Sequence, residues 1–218
     1  MHARHRAGGR DGGDAKGPLR PAVFLDRDGT LIEDVGYLDA IERLVLFPWT
    51  VDTVRALNRA GLPVVVITNQ SGVARGYFTE QFVDDTHREI AARLAAGGAR
   101  IDAYYHCPHH PDGHVSPYAR DCDCRKPACG LIDRAARDLN LDVSRSFVVG
   151  DKWIDVGLAR AAGAHGILVR TGTGAAEIRR RPDLTADAIV DNLAAAASWI
   201  LERLRSGDRV IGDRRSPI

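Results

Sequence analysis

The chain has 218 residues, of which 44% are hydrophobic and 27% charged, a composition typical of one compact globular domain. Thirty Lys and Arg residues against 29 Asp and Glu residues give a formal net charge of +1, which argues against a protein that binds nucleic acid or membrane surfaces through a general basic excess. No apolar run approaches the roughly 18 residues that span a bilayer, so we expect a cytoplasmic protein without membrane or nucleic-acid partners.

The two ends of the chain differ in composition from the rest. Residues 1–20 are rich in Gly and charge and contain no apolar stretch of signal-peptide length, so they predict a disordered leader. Residues 206–218 predict a flexible tail. The segment between them, residues 21–205, is the predicted domain, and we expect it to act as a monomer.

Five short apolar runs along the chain predict β-strands. They are continuous rather than alternating, which is the pattern of strands covered on both faces in a parallel sheet. The runs are residues 22–26, 63–69, 103–107, 146–151 and 166–170.

Amphipathic segments between these runs predict helices, and a Gly residue follows most of them as a candidate C-cap. The alternation of strands and helices predicts a three-layer α/β/α, Rossmann-like fold with a central parallel sheet and right-handed crossovers. The segments between strands are too short to encode a large cap domain. The predicted helices cover residues 50–60, 79–96, 131–139 and 153–162.

Polar side chains follow three of the predicted strands. The first strand ends in "LDRDGT", which places Asp26 and Asp28 on the same side of an extended segment just before Gly29. Two carboxylates this close repel each other unless one is protonated or a cation lies between them. Because ligands of such folds bind beyond the carboxyl ends of the strands, the other strand-end residues are expected nearby, namely Thr68, Asn69 and Asp151.

This set of residues suits phosphoryl transfer. Asp26, Asp28 and Asp151 supply the oxygen ligands that Mg²⁺ prefers. A carboxylate beside Mg²⁺ can attack a phosphoryl group, while a second carboxylate acts as general acid and base. Lys126 and the hydroxyl of Thr68 are candidates to stabilise the charge on the transferred group.

A segment rich in Cys and His, residues 106–130, interrupts the strand–helix alternation and is called here the Cys/His loop. All four cysteines of the chain lie in it, and a loop this long needs something to fold around, which tetrahedral Zn²⁺ would provide. A disulfide pair or free cysteines are the alternatives, and His106, His110 and His114 compete with His109 for a ligand role. Cys129 is left over. The predicted zinc ligands are Cys107, His109, Cys122 and Cys124.

The order of four motifs, "DRDGT", "ITNQSG", the Lys of "CRKP" and "VGDKWID", resembles that of the haloacid dehalogenase (HAD) superfamily of phosphatases. The resemblance implies that Asp26 is the nucleophile and that Asp28 is the general acid/base and offers its backbone carbonyl to Mg²⁺. It further implies that Lys126 is the charge clamp, Asp151 a metal ligand, and Asp155 a residue that orients Lys126 or a metal-bound water. Phosphate or substrate binding falls to Thr68 and Asn69.

The Cys-x-His and Cys-x-Cys spacings are similar to the zinc loop of one capless branch of this superfamily, which contains heptose bisphosphate phosphatases and histidinol-phosphate phosphatases. That resemblance implies a structural zinc that pins the loop carrying Lys126 and places Arg125 over the phosphate or sugar. The chain departs from the branch in one position, since "RKPACG" has Cys129 where a proline is expected.

The stretch "NQSGVARGYFT", which contains Arg75 as a candidate substrate contact, looks more like the heptose bisphosphate phosphatases. The resemblance therefore implies a Mg²⁺-dependent phosphomonoesterase that removes the 7-phosphate of a heptose 1,7-bisphosphate, a small phosphorylated sugar. Histidinol phosphate and other sugar phosphates are the alternative substrates. A non-catalytic binding module that recruits a partner through the Cys/His loop is the alternative from another functional class.

Overall fold

The computed structural model describes residues 18–212 of the chain. Six parallel strands form one sheet in the order β3-β2-β1-β4-β5-β6, so the chain starts in the middle and fills each side in turn. This order puts β1 and β4 next to each other at the switch point where α/β sheets bind ligands. The strands are β1 (Val23–Leu25), β2 (Val64–Asn69), β3 (Ala103–Cys107), β4 (Phe147–Gly150), β5 (His165–Val169) and β6 (Ala188–Val190).

Helices cover both faces of the sheet, which confirms the predicted three-layer α/β/α fold. One core packs α1, α2 and α6 against one face of the sheet, and a second core packs α3 and α4 against the other. The helices are α1 (Thr50–Arg59), α2 (Glu80–Ala96), α3 (Gly130–Leu139), α4 (Trp153–Ala162), α5 (Gly174–Arg180) and α6 (Leu193–Gly212).

The central strands β1, β2 and β4 are apolar up to their carboxyl ends because each of their apolar side chains enters one of these two cores. In β1, Val23 and Leu25 belong to the core beneath α1 and α6, whereas Phe24 between them belongs to the core beneath α3 and α4. All three side chains are fully buried. The continuous apolar run that predicted a doubly covered strand therefore has this packing as its physical reason.

Local signals set the ends of two helices that position the site. At the start of α2, the Thr79 hydroxyl accepts a hydrogen bond of 3.1 Å from the Phe82 N–H. At the end of α4, Gly163 takes a φ of 74°, the left-handed conformation that favours glycine at a C-cap. Both ends agree with the predicted helices.

The C-terminal third of the chain contains elements that the sequence did not predict, namely α5, β6 and α6. α6 continues to Gly212, so residues 206–212, which the sequence assigns to a flexible tail, are helical. Helix propagation is cooperative, and a single interior glycine such as Gly207 costs only about 1 kcal/mol. Residues 213–218 lie outside the described part of the chain.

At the other end, most of the predicted leader, residues 1–17, is likewise outside the described residues. Arg20 already belongs to the fold, since its backbone carbonyl accepts a hydrogen bond of 2.8 Å from the Asp142 N–H. Among the described helices, none combines the length and the apolar character needed to cross a membrane.

Candidate active site

Four charged residues meet at the carboxyl ends of the central strands, and we call them the carboxylate–lysine cluster: Asp26, Lys126, Asp151 and Asp155. Asp26 directly follows β1, and Asp151 directly follows the neighbouring β4. The carboxylates of Asp26, Asp151 and Asp155 each bring an oxygen within 4.8 Å of the others, and all three side chains are buried. Such a concentration of buried negative charge requires cations.

Lys126 supplies one of these cations. Its Nζ donates hydrogen bonds to Asp26 Oδ1 at 2.8 Å, to Asp155 Oδ1 at 2.7 Å and to the Ile67 carbonyl at 3.0 Å. Burial alone would lower the pKa of Lys126, but the carboxylates of Asp155 and Asp26 outweigh it and raise the pKa to about 12. The lysine is therefore a permanent ammonium beside Asp26, and Asp155 orients it.

Asp151 has one satisfied and one unsatisfied oxygen. Its Oδ2 accepts from the N–H and the hydroxyl of Thr173 at 2.7 and 2.9 Å. Its Oδ1 is buried and has no hydrogen-bond partner among the described residues, the Lys152 Nζ lying 3.9 Å away. Burial and the charge of Asp26 raise the pKa of Asp151 to about 7.

The unpaired Asp151 Oδ1 lies beside Asp26 and is available as a ligand for a cation. The donor set is all oxygen, which suits Mg²⁺. Two glycines make room for the carboxylate itself, because Gly29 (φ 83°) and Gly172 (φ 55°) approach Asp151 so closely that a Cβ on either would lie 2.4–2.5 Å from Asp151 Oδ2. The residues present thus fit a magnesium ion at this position.

Asp28 lies at the edge of the cluster and points into the cleft described below. Its carboxylate accepts two hydrogen bonds of 3.0 Å from Arg27 and one of 3.0 Å from Gln70 Nε2. Arg27 is only 2% exposed and also donates to Gln70 Oε1. Arg27 therefore holds Asp28 in place from inside the protein.

Gln70 is a residue that sequence reasoning missed. Besides Asp28, its Nε2 contacts Thr68 Oγ1 at 2.8 Å, so one amide links the ends of β1 and β2. It stands inside the "ITNQSG" motif, but an uncharged amide at a strand end gives no signal of its own. Thr173 and Lys152 were missed for another reason, because their partners come from distant segments of the chain.

Asn69, predicted to bind phosphate or substrate, lines the cleft described below, and its side chain contacts the backbone of Lys126. Its Oδ1 accepts from the Lys126 N–H at 3.0 Å, and its Nδ2 donates to the Lys126 carbonyl at 3.2 Å. The amide therefore positions Lys126. Thr68 is buried at the end of β2 beside this group.

A cleft of about 340 Å³ opens in front of these residues. Arg125 and Lys152 line it as cations, and Asp28 and Asp34 as carboxylates. Lys152 is held by a 3.2 Å ion pair with Asp34. A cleft lined by two cations and two carboxylates suits a small, polar ligand that carries negative charge beside Arg125 and Lys152.

The two arginines expected to bind substrate lie in different places. Arg125 lines the cleft and donates a hydrogen bond of 3.3 Å to the His109 carbonyl. Arg75 is not among the lining residues, and its Nη2 lies 3.3 Å from His110 Nε2 in the Cys/His loop. Residue spacing after "NQSG" does not reveal this contact, because His110 comes from a distant segment of the chain.

The four predicted zinc ligands come together in the Cys/His loop, and we call them the Cys/His cluster. The Sγ atoms of Cys107, Cys122 and Cys124 lie 3.2–3.5 Å apart, and His109 Nδ1 lies 3.3 Å from Cys124 Sγ. Ligands about 2.0–2.3 Å from a tetrahedral zinc are separated by roughly 3.5–3.8 Å. The cluster therefore has nearly the dimensions of a zinc site.

The alternatives left open by the sequence look different in the structure. All four cysteines are free thiols, and Cys129 lies outside the cluster. Of the competing histidines, His106 contacts Glu80 Oε1 and His110 contacts Arg75. Burial raises the pKa values of the Cys107 and Cys124 thiols, so these two cysteines keep their protons at physiological pH when no metal is bound. A dication would displace them.

The chain is similar to known proteins both in sequence and in structure. A family model described as HAD-hydrolase-like matches residues 123–196. The D-glycero-D-manno-heptose-1,7-bisphosphate 7-phosphatase of Thermosynechococcus vestitus is 46% identical over 191 residues, covering 85% of this chain and 97% of that protein. The corresponding β-anomer enzyme of Yersinia pestis is 40% identical, covering 89% and 96%.

A solved structure is also similar. The D,D-heptose 1,7-bisphosphate phosphatase from B. bronchiseptica, complexed with magnesium and phosphate, matches with a TM-score of 0.76 and 31% sequence identity. The match covers 84% of this chain and 99% of that one. The likeness therefore extends over the sheet, both helical layers and the site.

Proposed function

The chain belongs to the family of D-glycero-D-manno-heptose-1,7-bisphosphate 7-phosphatases within the HAD-like hydrolases, and we propose that it hydrolyses the 7-phosphate of this sugar bisphosphate through Asp26. The observation that carries the proposal is the pairing of Asp26 with a buried, permanently charged Lys126 next to the unsatisfied Asp151. This arrangement combines a nucleophile with a place for both a phosphoryl group and a cation.

The first step is the attack of an Asp26 carboxylate oxygen on the phosphorus. A bond forms between Asp26 and the phosphoryl group, and the bond from phosphorus to the sugar oxygen breaks. Lys126 neutralises charge on the transferred group while Asp155 keeps its ammonium in position. Asp28, at the cleft, gives a proton to the departing sugar oxygen.

The second step returns the enzyme to its starting state. Asp28 takes a proton from a water molecule, whose oxygen attacks the phosphorus and breaks the bond to Asp26, releasing inorganic phosphate. Gln70 and Arg27 keep the Asp28 carboxylate turned toward the cleft through both steps. The acid and the base are thus one residue used twice.

Magnesium would be held by Asp26, Asp151 and the backbone carbonyl of Asp28, and when bound it supplies positive charge to the transferred phosphoryl group. The unsatisfied Asp151 Oδ1 supports this assignment. Zinc would be held by the Cys/His cluster and has a structural role. Since Cys124, Arg125 and Lys126 are consecutive, fixing the sulfur of Cys124 also fixes the cleft arginine and the lysine of the carboxylate–lysine cluster.

The proposed substrate fits the cleft. A heptose bisphosphate carries two phosphates, one to be transferred at Asp26 and one at the far end of the sugar. Arg125 and Lys152 line the cleft outside the cluster and would bind the polar, charged remainder of the substrate. We expect the enzyme to be a cytoplasmic monomer, which cell fractionation and light scattering would test.

The proposal is tested by measuring phosphate release from both anomers of D-glycero-D-manno-heptose 1,7-bisphosphate, from histidinol phosphate and from hexose phosphates. Each substrate is assayed with and without Mg²⁺, with Asp26→Asn as the blank. We expect Mg²⁺-dependent release with the highest kcat/KM for one heptose bisphosphate anomer. A preference for histidinol phosphate would overturn the substrate, and no Mg²⁺-dependent release at all would favour a non-catalytic binding module.

A further inference from the structure

A group of potential metal ligands lies away from both clusters, where α2 packs against the edge strand β3. Its members are Asp84, His87 and His106. A carboxylate oxygen of Asp84 and a ring nitrogen of each histidine all lie within 4.8 Å of one another. None of these residues takes part in the phosphatase chemistry proposed above, so their meeting needs a reason of its own.

Two secondary-structure elements bring these residues together. Asp84 and His87 are three positions apart on α2 and so share one face of the helix. His106 lies on β3, where it pairs in register with Thr68 of β2. The site is therefore built on rigid elements rather than on a surface loop, which is how well-ordered ligand sets are held.

His87 carries an unsatisfied polar atom at this position. The residue is 6% exposed, and its Nε2 is buried without a hydrogen-bond partner among the described residues. Leaving a buried polar atom unpaired is unfavourable, and a coordinated ion would offset that cost. Its ring stacks on Tyr104 with centroids 4.8 Å apart, which fixes the ring in position but offers no hydrogen bond to Nε2.

The histidine is also in the protonation state that binds metals. Burial, followed by the charge of Arg27 and by His106, lowers the pKa of His87 to about 2, so the imidazole is neutral at physiological pH. Neutral imidazole is the metal-binding form. Two carboxylates lie near this pair of histidines, namely Asp84 itself and Glu80, whose Oε1 lies 3.2 Å from His106 Nε2.

We propose that Asp84, His87 and His106 bind a divalent transition metal, with Zn²⁺ as the best match, at a site separate from the Cys/His cluster. Two imidazoles and a carboxylate are ligands that zinc accepts, with water completing the coordination. Ligand atoms about 2.0–2.2 Å from zinc are roughly 3.3–3.6 Å apart, so the group must contract by about 1 Å. Asp84 is exposed and has the freedom to move in.

The location suggests what such an ion does. His106 immediately precedes Cys107, the first residue of the Cys/His cluster. Glu80, beside His106, also accepts a hydrogen bond of 2.6 Å from the Tyr118 hydroxyl, which belongs to the middle of the Cys/His loop. A metal joining α2 to His106 therefore anchors the point at which the loop leaves the sheet.

The test is a Co²⁺ titration of the full chain that has first received one equivalent of Zn²⁺ to fill the Cys/His cluster, in excess Mg²⁺ to occupy the carboxylates of the active site. We expect one further equivalent of Co²⁺ to bind with d–d absorption but without thiolate-to-cobalt charge transfer, since no cysteine belongs to this group. Losing an outer partner of a metal ligand costs about 10–100-fold in affinity, so losing a ligand is expected to cost at least about 100-fold.

Asp84→Asn is the principal variant, because Asp84 is exposed and its amide analogue should fold, and His106→Gln is the second. His165→Gln is the matched control, since His165 also stacks on an aromatic ring, that of Phe147, and also pairs with a carboxylate, that of Asp187. The proposal holds if both site variants weaken the additional Co²⁺ and the control does not. Binding of no additional Co²⁺, or equal affinity in Asp84→Asn, overturns it.

Discussion

The carboxylate–lysine cluster and the Cys/His cluster are both sets of potential metal ligands, but they are assembled in opposite ways. The first draws on segments spread from Asp26 to Asp155, and its members are held largely by one another and by Thr173. The second comes from one loop, in which the sulfur atoms mainly contact each other. A sheet thus positions the first cluster without an ion, whereas three of the four ligands of the second lie in a loop beyond β3, which hydrogen bonds such as that from Tyr118 to Glu80 tie to the rest of the fold.

This difference predicts that the stability of the fold depends on zinc more than on magnesium. Removing magnesium should leave the carboxylate–lysine cluster in place, because Lys126 and Thr173 still satisfy most of its oxygens. Removing zinc should release the Cys/His loop, because four ligands lose their common centre. Cys124 of the second cluster lies two residues before Lys126 of the first, so loss of zinc is also expected to displace Lys126.

The largest expected effect is the loss of activity in a variant that lacks the nucleophile but keeps the structure of both clusters. Asp26→Asn removes the nucleophile, and we expect kcat to fall by at least about 10⁴-fold in the heptose bisphosphate assay. Lys126 keeps its bond to Asp155, so thermal unfolding and zinc content should stay close to those of the wild type. Asp52→Asn, an exposed carboxylate on α1, is the control and should retain full activity.

Breaking the Cys/His cluster should act on the fold. Cys124→Ser is expected to lose the bound zinc, lower the free energy of unfolding by at least about 2 kcal/mol and reduce kcat about 10–100-fold through the displaced Lys126. Metal analysis, chemical denaturation and the phosphatase assay measure the three effects. Cys129→Ser is the matched control, because Cys129 lies in the same loop but outside the cluster. Equal zinc content in the two variants would contradict the ligand assignment.

The link between the clusters can be weakened without touching a ligand of either. Asn69→Ala removes two hydrogen bonds to the Lys126 backbone, and Asn58→Ala removes an equivalent pair to the Arg100 backbone far from the site. Both should lose about 1–2 kcal/mol of stability. We expect only Asn69→Ala to lose activity, by about 10–100-fold, because only there does the lysine lose its support. Equal activity of the two variants would remove Asn69 from the site.

The smallest expected effect concerns pH and the metal-free carboxylates. The pKa of Asp151, about 7, lies above the roughly 3.9 of an unfolded aspartate. A carboxyl group with a raised pKa stabilises the fold in its protonated form, so its contribution is full below about pH 4 and is lost as the pH rises through 7.

Chemical denaturation in magnesium-free buffer tests this. Wild-type protein should lose about 2 kcal/mol more stability than Asp151→Asn between pH 5 and pH 8, since the amide does not titrate. Adding Mg²⁺ at pH 8 should restore the stability of the wild type. Parallel pH profiles for the two proteins would show that Asp151 is not the group that titrates.

Local signals account for the parts of this molecule that the sequence predicted. The strand leading to Asp26 is apolar on both faces, the glycine after α4 ends that helix, and four ligands in one loop follow a short spacing. The helices and strand after residue 170 were missed because β6 is short and only half-buried, and because α6 is rich in Ala, which gives a weak periodic pattern.

Contacts between distant segments account for the rest. The roles of Gln70, Asn69 and Thr173 depend on partners that no spacing in the sequence reveals, and the same applies to the contact of Arg75 with His110. The resemblance to heptose bisphosphate phosphatases indicated which segments form the site but not which side chains contact one another. An uncharged side chain gains such a role only when the fold brings a backbone or a carboxylate to it.

The most direct test of the proposed function follows the hydrolysis of D-glycero-D-manno-heptose 1,7-bisphosphate by ³¹P NMR, with Mg²⁺ present, for wild type and Asp26→Asn. The proposal predicts that the resonance of the 7-phosphate disappears, that inorganic phosphate and heptose 1-phosphate appear in equal amounts, and that Asp26→Asn shows neither. Loss of the 1-phosphate, or turnover that persists in Asp26→Asn, would contradict it.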